Sequence, residues 1–179
     1  LKQEVPHRCF SVQRSPEPSG DRPGIGRDAL DKGGFSTLLA FGAVKIAFGT
    51  DERCATTDAL RAHLLDLDHT VVDCGDGELW PDVGRSVGEA VASGLADVGV
   101  VACHTGTGVA IAANKVPGVR AALCGDAATA RGARRWNDAN VLAFGLRLTT
   151  ETVARELVEA FLGTEVDDAE RPTIARLPW

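Results

Sequence analysis

The sequence predicts an α/β fold: a single domain with a five-stranded parallel sheet and helices on both faces. Three observations predict it. From residue 44 onward, short apolar runs alternate with segments of helical period. That alternation belongs to strands joined by crossover helices, hence to a parallel sheet covered on both sides. The residues suited to chemistry, Asp51, Cys103, Asn137 and Arg147, are also expected at the carboxyl ends of the strands, where ligands of such sheets bind.

The elements follow in order. Residues 44–49 read as a buried strand ending in glycine. Residues 55–67 carry Leu60, Leu64 and Leu67 at helical spacing. Residues 70–74 form a second strand. Residues 83–93 form a helix weakened by an interior glycine and ended by Gly94. A third strand spans 97–102, and a helix of small residues spans 109–115. A fourth strand covers 119–124, and Asp126 caps a helix over 127–136. A fifth strand covers 140–144, and an amphipathic helix over 150–162 ends at Gly163. Residues 164–179 are a polar and basic tail. Residues 1–43 differ from the rest: Pro6, Pro16, Pro18 and Pro23 mix with charges and glycines without helical or strand period. A disordered extension is expected there, followed by the domain proper over 44–163. His63 and His69 fall in helix and loop positions and are expected to face solvent.

The chain has 179 residues, 44% hydrophobic and 25% charged, enough for one domain with a real core. A net charge of −6 argues against a nucleic-acid partner. No apolar run approaches the roughly 20 residues that span a bilayer. The run over 35–48 is interrupted by Lys45 and has no A-x-A pattern, so a signal peptide is not expected. The five cysteines (Cys9, Cys54, Cys74, Cys103 and Cys124) are odd in number and have no C-x-x-C spacing. A disulfide framework or zinc site is therefore not expected, and a reducing, cytoplasmic setting is. Cys74 and Cys124 end strands and read as small buried apolar residues.

The most informative segment is Cys103-His-Thr-Gly-Thr-Gly108, which leaves the third strand and opens a helix. Backbone N–H groups and the positive end of the helix converge there. Such a position lowers a thiol's pKa and stabilises an oxyanion. A base beside an anion hole is what proton abstraction next to a carbonyl requires. Taken alone, Cys103 could equally be a buried strand-end cysteine.

Several motifs in order carry a resemblance. They are Lys45-Ile-Ala-Phe-Gly-Thr-Asp51, Trp80-Pro-Asp82, the Cys103 loop, the run from Ala112-Ala-Asn-Lys-Val-Pro-Gly to Cys124, and Asn137-Asp-Ala-Asn-Val-Leu-Ala-Phe-Gly145. Residues 44–177 resemble the B-type ribose-5-phosphate isomerases and the galactose-6-phosphate isomerase subunits. The resemblance implies a Rossmann or flavodoxin-like sheet, homodimers or tetramers with the site at the subunit interface, and no metal or cofactor. It implies interconversion of aldose and ketose phosphates through an enediolate. Cys103 would be the base, and Thr105 would orient it or bind a substrate hydroxyl. The N–H groups of Gly106, Thr107 and Gly108 would hold the enediolate oxygen, and Asn114 would join the substrate contacts. Asp51 would bind sugar hydroxyls and assist ring opening, although it also suits a helix N-cap. Asn137 would come from the neighbouring subunit, although it also suits a turn. Arg147 would grip phosphate, again from the neighbour. Arg171 and Arg176 would add to it, or form a solvated basic tail.

The chain departs from the family pattern in three places. Glu52 stands where a histidine follows the aspartate, and a carboxylate repels phosphate at short range. Trp136 replaces the histidine that opens the sugar ring, and indole transfers no proton near neutral pH. Trp80 replaces a tyrosine. Glu52, Trp80 and Trp136 thus stand at substrate-contact positions. One reading is a substrate that needs no ring opening, such as a tetrose phosphate. Another is that His104, which replaces a glycine, supplies the missing acid, although neighbours on an extended segment point opposite ways. A structural or substrate-contact role is the bland reading of His104. A half-catalytic or non-catalytic subunit, or a sugar-phosphate-binding protein, is the alternative to an active isomerase. A thiol redox sensor is disfavoured because Cys103 has no evident resolving cysteine.

Overall fold

The computed structural model describes residues 11–14 and 42–177. Its elements are β1 (Val12–Gln13), β2 (Lys45–Thr50), α1 (Ala55–Asp66), β3 (Thr70–Asp76), α2 (Trp80–Ala92) and β4 (Val98–Cys103). They continue with α3 (Thr107–Ala113), β5 (Ala121–Leu123), α4 (Ala127–Asn137), β6 (Val141–Gly145) and α5 (Glu151–Leu162). A 3₁₀ turn (Asp168–Glu170) and α6 (Arg171–Ile174) close the described chain.

These elements build one sheet in the order β1-β3-β2-β4-β6-β5. β2 through β6 pair in parallel, and β1 lies antiparallel on β3. The sheet therefore has six strands where the sequence predicts five. The sixth comes from a stretch without strand period. Val12 and Gln13 are exposed and bury no face that could leave a pattern. They are held by backbone pairing, to which Asp73 adds an N–H bond to Ser11 O at 2.8 Å. The disorder expected over 1–43 otherwise falls outside the described residues, as does Cys9.

The central strands are buried on both faces, so their sequences read as apolar runs. Ile46, Ala47 and Phe48 are 0% exposed. The period of two sends Ile46, Phe48, Val100, Leu142 and Phe144 to one face, against Leu60 and Leu64 of α1 and Leu157 and Phe161 of α5. Ala47, Val101 and Ala143 point to the other face, against Val83 and Val87 of α2 and Val109 and Ala113 of α3. This second layer is built of small side chains. A Cβ on Gly84 would lie 2.7 Å from the Cβ of Ala112, so α2 and α3 approach as closely as they do only with glycine there.

Most boundaries shift by one or two residues. α2 starts a turn earlier than expected because Pro81 occupies the first turn, where its missing N–H costs nothing. Asp126 caps α4 by accepting from Thr129 N–H at 2.8 Å. The histidines depart from expectation. Asp68, at φ 62, swings the chain from α1 into β3 and tucks His69 inward to 7% exposure, where its Nδ1 accepts from Val44 N–H at 3.4 Å. His63 is half-buried, with Nε2 2.8 Å from Glu159 Oε1 on α5. The tail folds back on α4, with Asp167 N–H donating to Arg135 O at 2.8 Å. No helix among the described residues is long and apolar enough to cross a membrane.

From β2 the chain moves outward to β3, then returns past β2 to β4. The strand order thus reverses between β2 and β4. Ligands of open α/β sheets bind beyond the carboxyl ends of strands at such a point.

Candidate active site

Two loops meet at the reversal. After β2, the buried Thr50 hydroxyl donates to Glu52 O at 2.8 Å and accepts from Glu52 N–H at 3.2 Å. This tight turn leaves Glu52 exposed and Asp51 half-buried. Asp51 N–H donates to Ala102 O at 3.3 Å, tying the turn to β4. Oδ1 of Asp51 is buried with no hydrogen-bond partner among the described residues. Burial, reinforced by the neighbouring Glu52 charge, raises the Asp51 carboxyl above its usual 3.8; its own backbone and His104 oppose the shift. A buried acceptor without a donor is uncommon.

Cys103 ends β4 on the α2–α3 face, 4% exposed, in the same apolar cluster as Val83 and Val109. Its backbone is clamped: Leu146 N–H donates to Cys103 O at 2.9 Å, and Arg147 N–H to His104 O at 3.0 Å. The loop then turns through Gly106 at φ 75. A Cβ there would lie 2.5 Å from Leu123 Cδ1 and 2.6 Å from the Phe144 carbonyl carbon. Glycine is thus required both by the left-handed backbone and by contact with β6. Thr107 and Gly108 open α3, whose first-turn N–H groups have no intrahelical acceptor. Trp80 lies over them: a Cβ on Gly108 would meet its ring at 2.9 Å.

Beside this loop is a cavity of about 320 Å³, lined by His104, Thr105, Leu123, Arg147 and Thr149 among others. His104, Thr105 and Arg147 are exposed. Asp51 and His104 are close enough to interact electrostatically. Leu123 and Thr149 come from the ends of the other loops. Their one sequence signal is position: Leu123 ends β5 and Thr149 follows β6.

The remaining sequence-predicted residues lie elsewhere. Asn137 ends α4 and precedes β6, so it belongs to the amino end of the sheet and not, as expected, to the carboxyl end. It lines a cavity of about 620 Å³ with Asn114, Pro117 and Leu177. The Asn114 amide is occupied by backbone: Nδ2 donates to Ala110 O at 2.9 Å and Ala121 O at 2.8 Å, and Oδ1 accepts from Ala121 N–H at 2.8 Å. It fastens β5 to α3, away from the glycine loop. Trp136 is 56% exposed, folded over Gly132 of its own helix. Arg171 is exposed and paired with Asp168 at 2.7 Å, and Arg176 is exposed. The set therefore splits in two. Asp51, Glu52, Trp80, Cys103 to Gly108 and Arg147 gather at one end of the sheet. Asn114, Trp136, Asn137, Arg171 and Arg176 do not join them within one chain. Cys74 and Cys124 are 3% and 2% exposed, and burial pushes their thiols up to about 12 and about 11.

Comparison with known proteins identifies relatives of this chain. The model of a family described as Ribose/Galactose Isomerase matches residues 46–176. Ribose-5-phosphate isomerase B of Escherichia coli is 38% identical over 128 residues, 69% of this chain and 86% of its own. D-erythrulose-4-phosphate isomerase 2 of Mycolicibacterium smegmatis is 39% identical over 133 residues, 70% and 88% of the two chains. Among solved structures, ribose-5-phosphate isomerase B of Clostridium thermocellum superposes with a TM-score of 0.70 at 37% identity, covering 74% of this chain and 93% of that one. With the match running from β2 through the C-terminal tail, the chain belongs to the Ribose/Galactose Isomerase family.

Proposed function

We propose that this chain is an aldose–ketose isomerase of a small sugar phosphate, working through an enediolate with Cys103 as the carbon base. The observation that carries the reading is the convergence, at the reversal of the sheet, of the Cys103 strand end, the glycine loop and the unpartnered Oδ1 of Asp51. The thiolate takes the proton from the carbon beside the carbonyl. The N–H groups of Gly106, Thr107 and Gly108 hold the oxygen on which charge develops. Asp51 Oδ1 accepts a substrate hydroxyl, Thr105 supplies a further hydroxyl contact, and Arg147 holds the phosphate. Cys103 is 4% exposed, so the reaction would run with bulk water kept from the enediolate.

The substrate we favour is a tetrose phosphate. With its terminal oxygen phosphorylated, a four-carbon sugar closes no ring and needs no ring-opening acid. Trp136 in the acid's place fits that, and a relative named D-erythrulose-4-phosphate isomerase 2 supports it. Asn137, Arg171 and Arg176 would reach this site only from a second copy, so the working unit is a homodimer or tetramer sharing its sites.

The test is NMR of four- to six-carbon sugar phosphates with the purified chain in D₂O. A tetrulose phosphate is expected to take up deuterium beside its carbonyl and convert to the aldose. Cys103→Ala should abolish both while leaving the circular dichroism spectrum unchanged. Wild-type turnover in that variant overturns the mechanism.

A further inference from the structure

We propose that His104 is a catalytic residue of this site, carrying protons between the two enediol oxygens while Cys103 serves the carbons; this rests on the isomerase reading above. Isomerisation needs two kinds of proton transfer. From the ketose, the Cys103 thiolate removes a C1 proton, the C1–H electron pair becomes the C1=C2 bond, and the carbonyl pair moves onto O2. Protonated His104 gives its proton to O2, then takes the proton from O1. The O1 electron pair forms the new C1=O1 bond, the C1=C2 pair takes the thiol proton at C2, and thiolate and imidazolium are restored. Atoms and charges balance without a co-reactant.

The geometry suits this division. The C–H bond that breaks stands perpendicular to the enediol plane, whereas the hydroxyl protons lie in it. The two proton carriers must therefore approach from different directions. Cys103 turns into the α2–α3 layer, and the next residue, His104, is exposed and lines the 320 Å³ cavity with Thr105 and Arg147. Among the groups lining that cavity, Thr105 and Thr149 are hydroxyls, Arg147 is a guanidinium without an acceptor, and burial pushes the Cys124 thiol to about 11. Imidazole is the one lining group able both to give and to take a proton near neutral pH. Asp51 and His104 are close enough to interact electrostatically.

The experiment compares His104→Gln with wild type, following two rates in D₂O: deuterium entry into recovered ketose, and aldose formation. We expect isomerisation to fall on the order of 100-fold, as for loss of a general acid–base group. Exchange at carbon should persist, because Cys103 is intact. Added imidazole should restore aldose formation in His104→Ala. Equal loss of exchange and isomerisation, no loss of either, or the same split in Asp51→Asn but not in His104→Gln, overturns the assignment. A wild-type chain that neither exchanges nor isomerises any substrate in the panel overturns the isomerase reading itself, a result distinct from failure of the histidine's role alone.

Discussion

Asp51 and His69 respond to pH in opposite senses, and each response has a local cause. Asp51 has its carboxyl raised above 3.8, chiefly by burial. The folded state then holds this proton more tightly than the unfolded chain does. Its contribution to stability is present at low pH and is lost as pH rises through the raised value. Once ionised, the Asp51 carboxylate, with its buried Oδ1 unpartnered, destabilises the fold. Asp51→Asn is therefore expected to melt above wild type at pH 7, with the gain shrinking towards pH 3, while turnover falls. Equal melting temperatures at pH 7 would remove the argument. His69 is lowered from 6.5, again chiefly by burial, and its Nδ1 can accept from Val44 only when neutral. Folding resists its protonation, so stability is lost as pH falls from about 6.5 through the lowered value. Urea midpoints should decline on acidification across that range. His69→Gln should flatten the decline.

At the scale of elements, the site depends on how tightly the loop after β4 is pressed onto the end of β6. Gly106 meets that contact with a left-handed backbone and no space for a side chain. Gly106→Ala combines an unfavourable φ with a clash against main-chain atoms, and should cost about 2–4 kcal/mol. It should also displace the N–H groups that follow. Gly125, on the rim of the same cavity, has nothing within 4 Å of a built Cβ. Gly125→Ala should stay within about 0.5 kcal/mol of wild type in denaturant titration, as surface changes usually do. Equal effects at the two glycines would mean that the loop's contact with β6 is not what holds it.

For the whole molecule, the separation of Asn137 from Cys103 sets the prediction. One lies before β6 and the other is the last residue of β4, at opposite ends of a parallel sheet. If a complete site combines Cys103 of one copy with Asn137 of another, Cys103→Ala and Asn137→Ala should each be inactive alone. Mixed equally and re-associated, half of the dimers are hybrids with one intact site in two, so about a quarter of wild-type activity should return. No recovery despite hybrid formation in native mass spectrometry would place each site within one copy.

Much of this protein is legible in its sequence, because buried parallel strands must be apolar and crossover helices must carry a helical period. The alternation from residue 44, the cap at Asp126 and the strand-end position of Cys103 follow from such local rules. So does the glycine loop, whose left-handed turn only glycine satisfies cheaply. What local rules do not specify is which elements become neighbours. The pairing of Val12–Gln13 with β3, the inward turn of His69, the backbone use of Asn114 and the orphaned oxygen of Asp51 each depend on residues distant in the chain. The same holds for the two ends of the sheet. Asn137 and Arg147 are close in sequence, but a strand runs between them and carries them apart. Composition and period determined the fold class, and the Cys103–Gly108 motif with its family resemblance named the candidate base; tertiary packing decided which candidates come together, because burial and partnership are properties of neighbours.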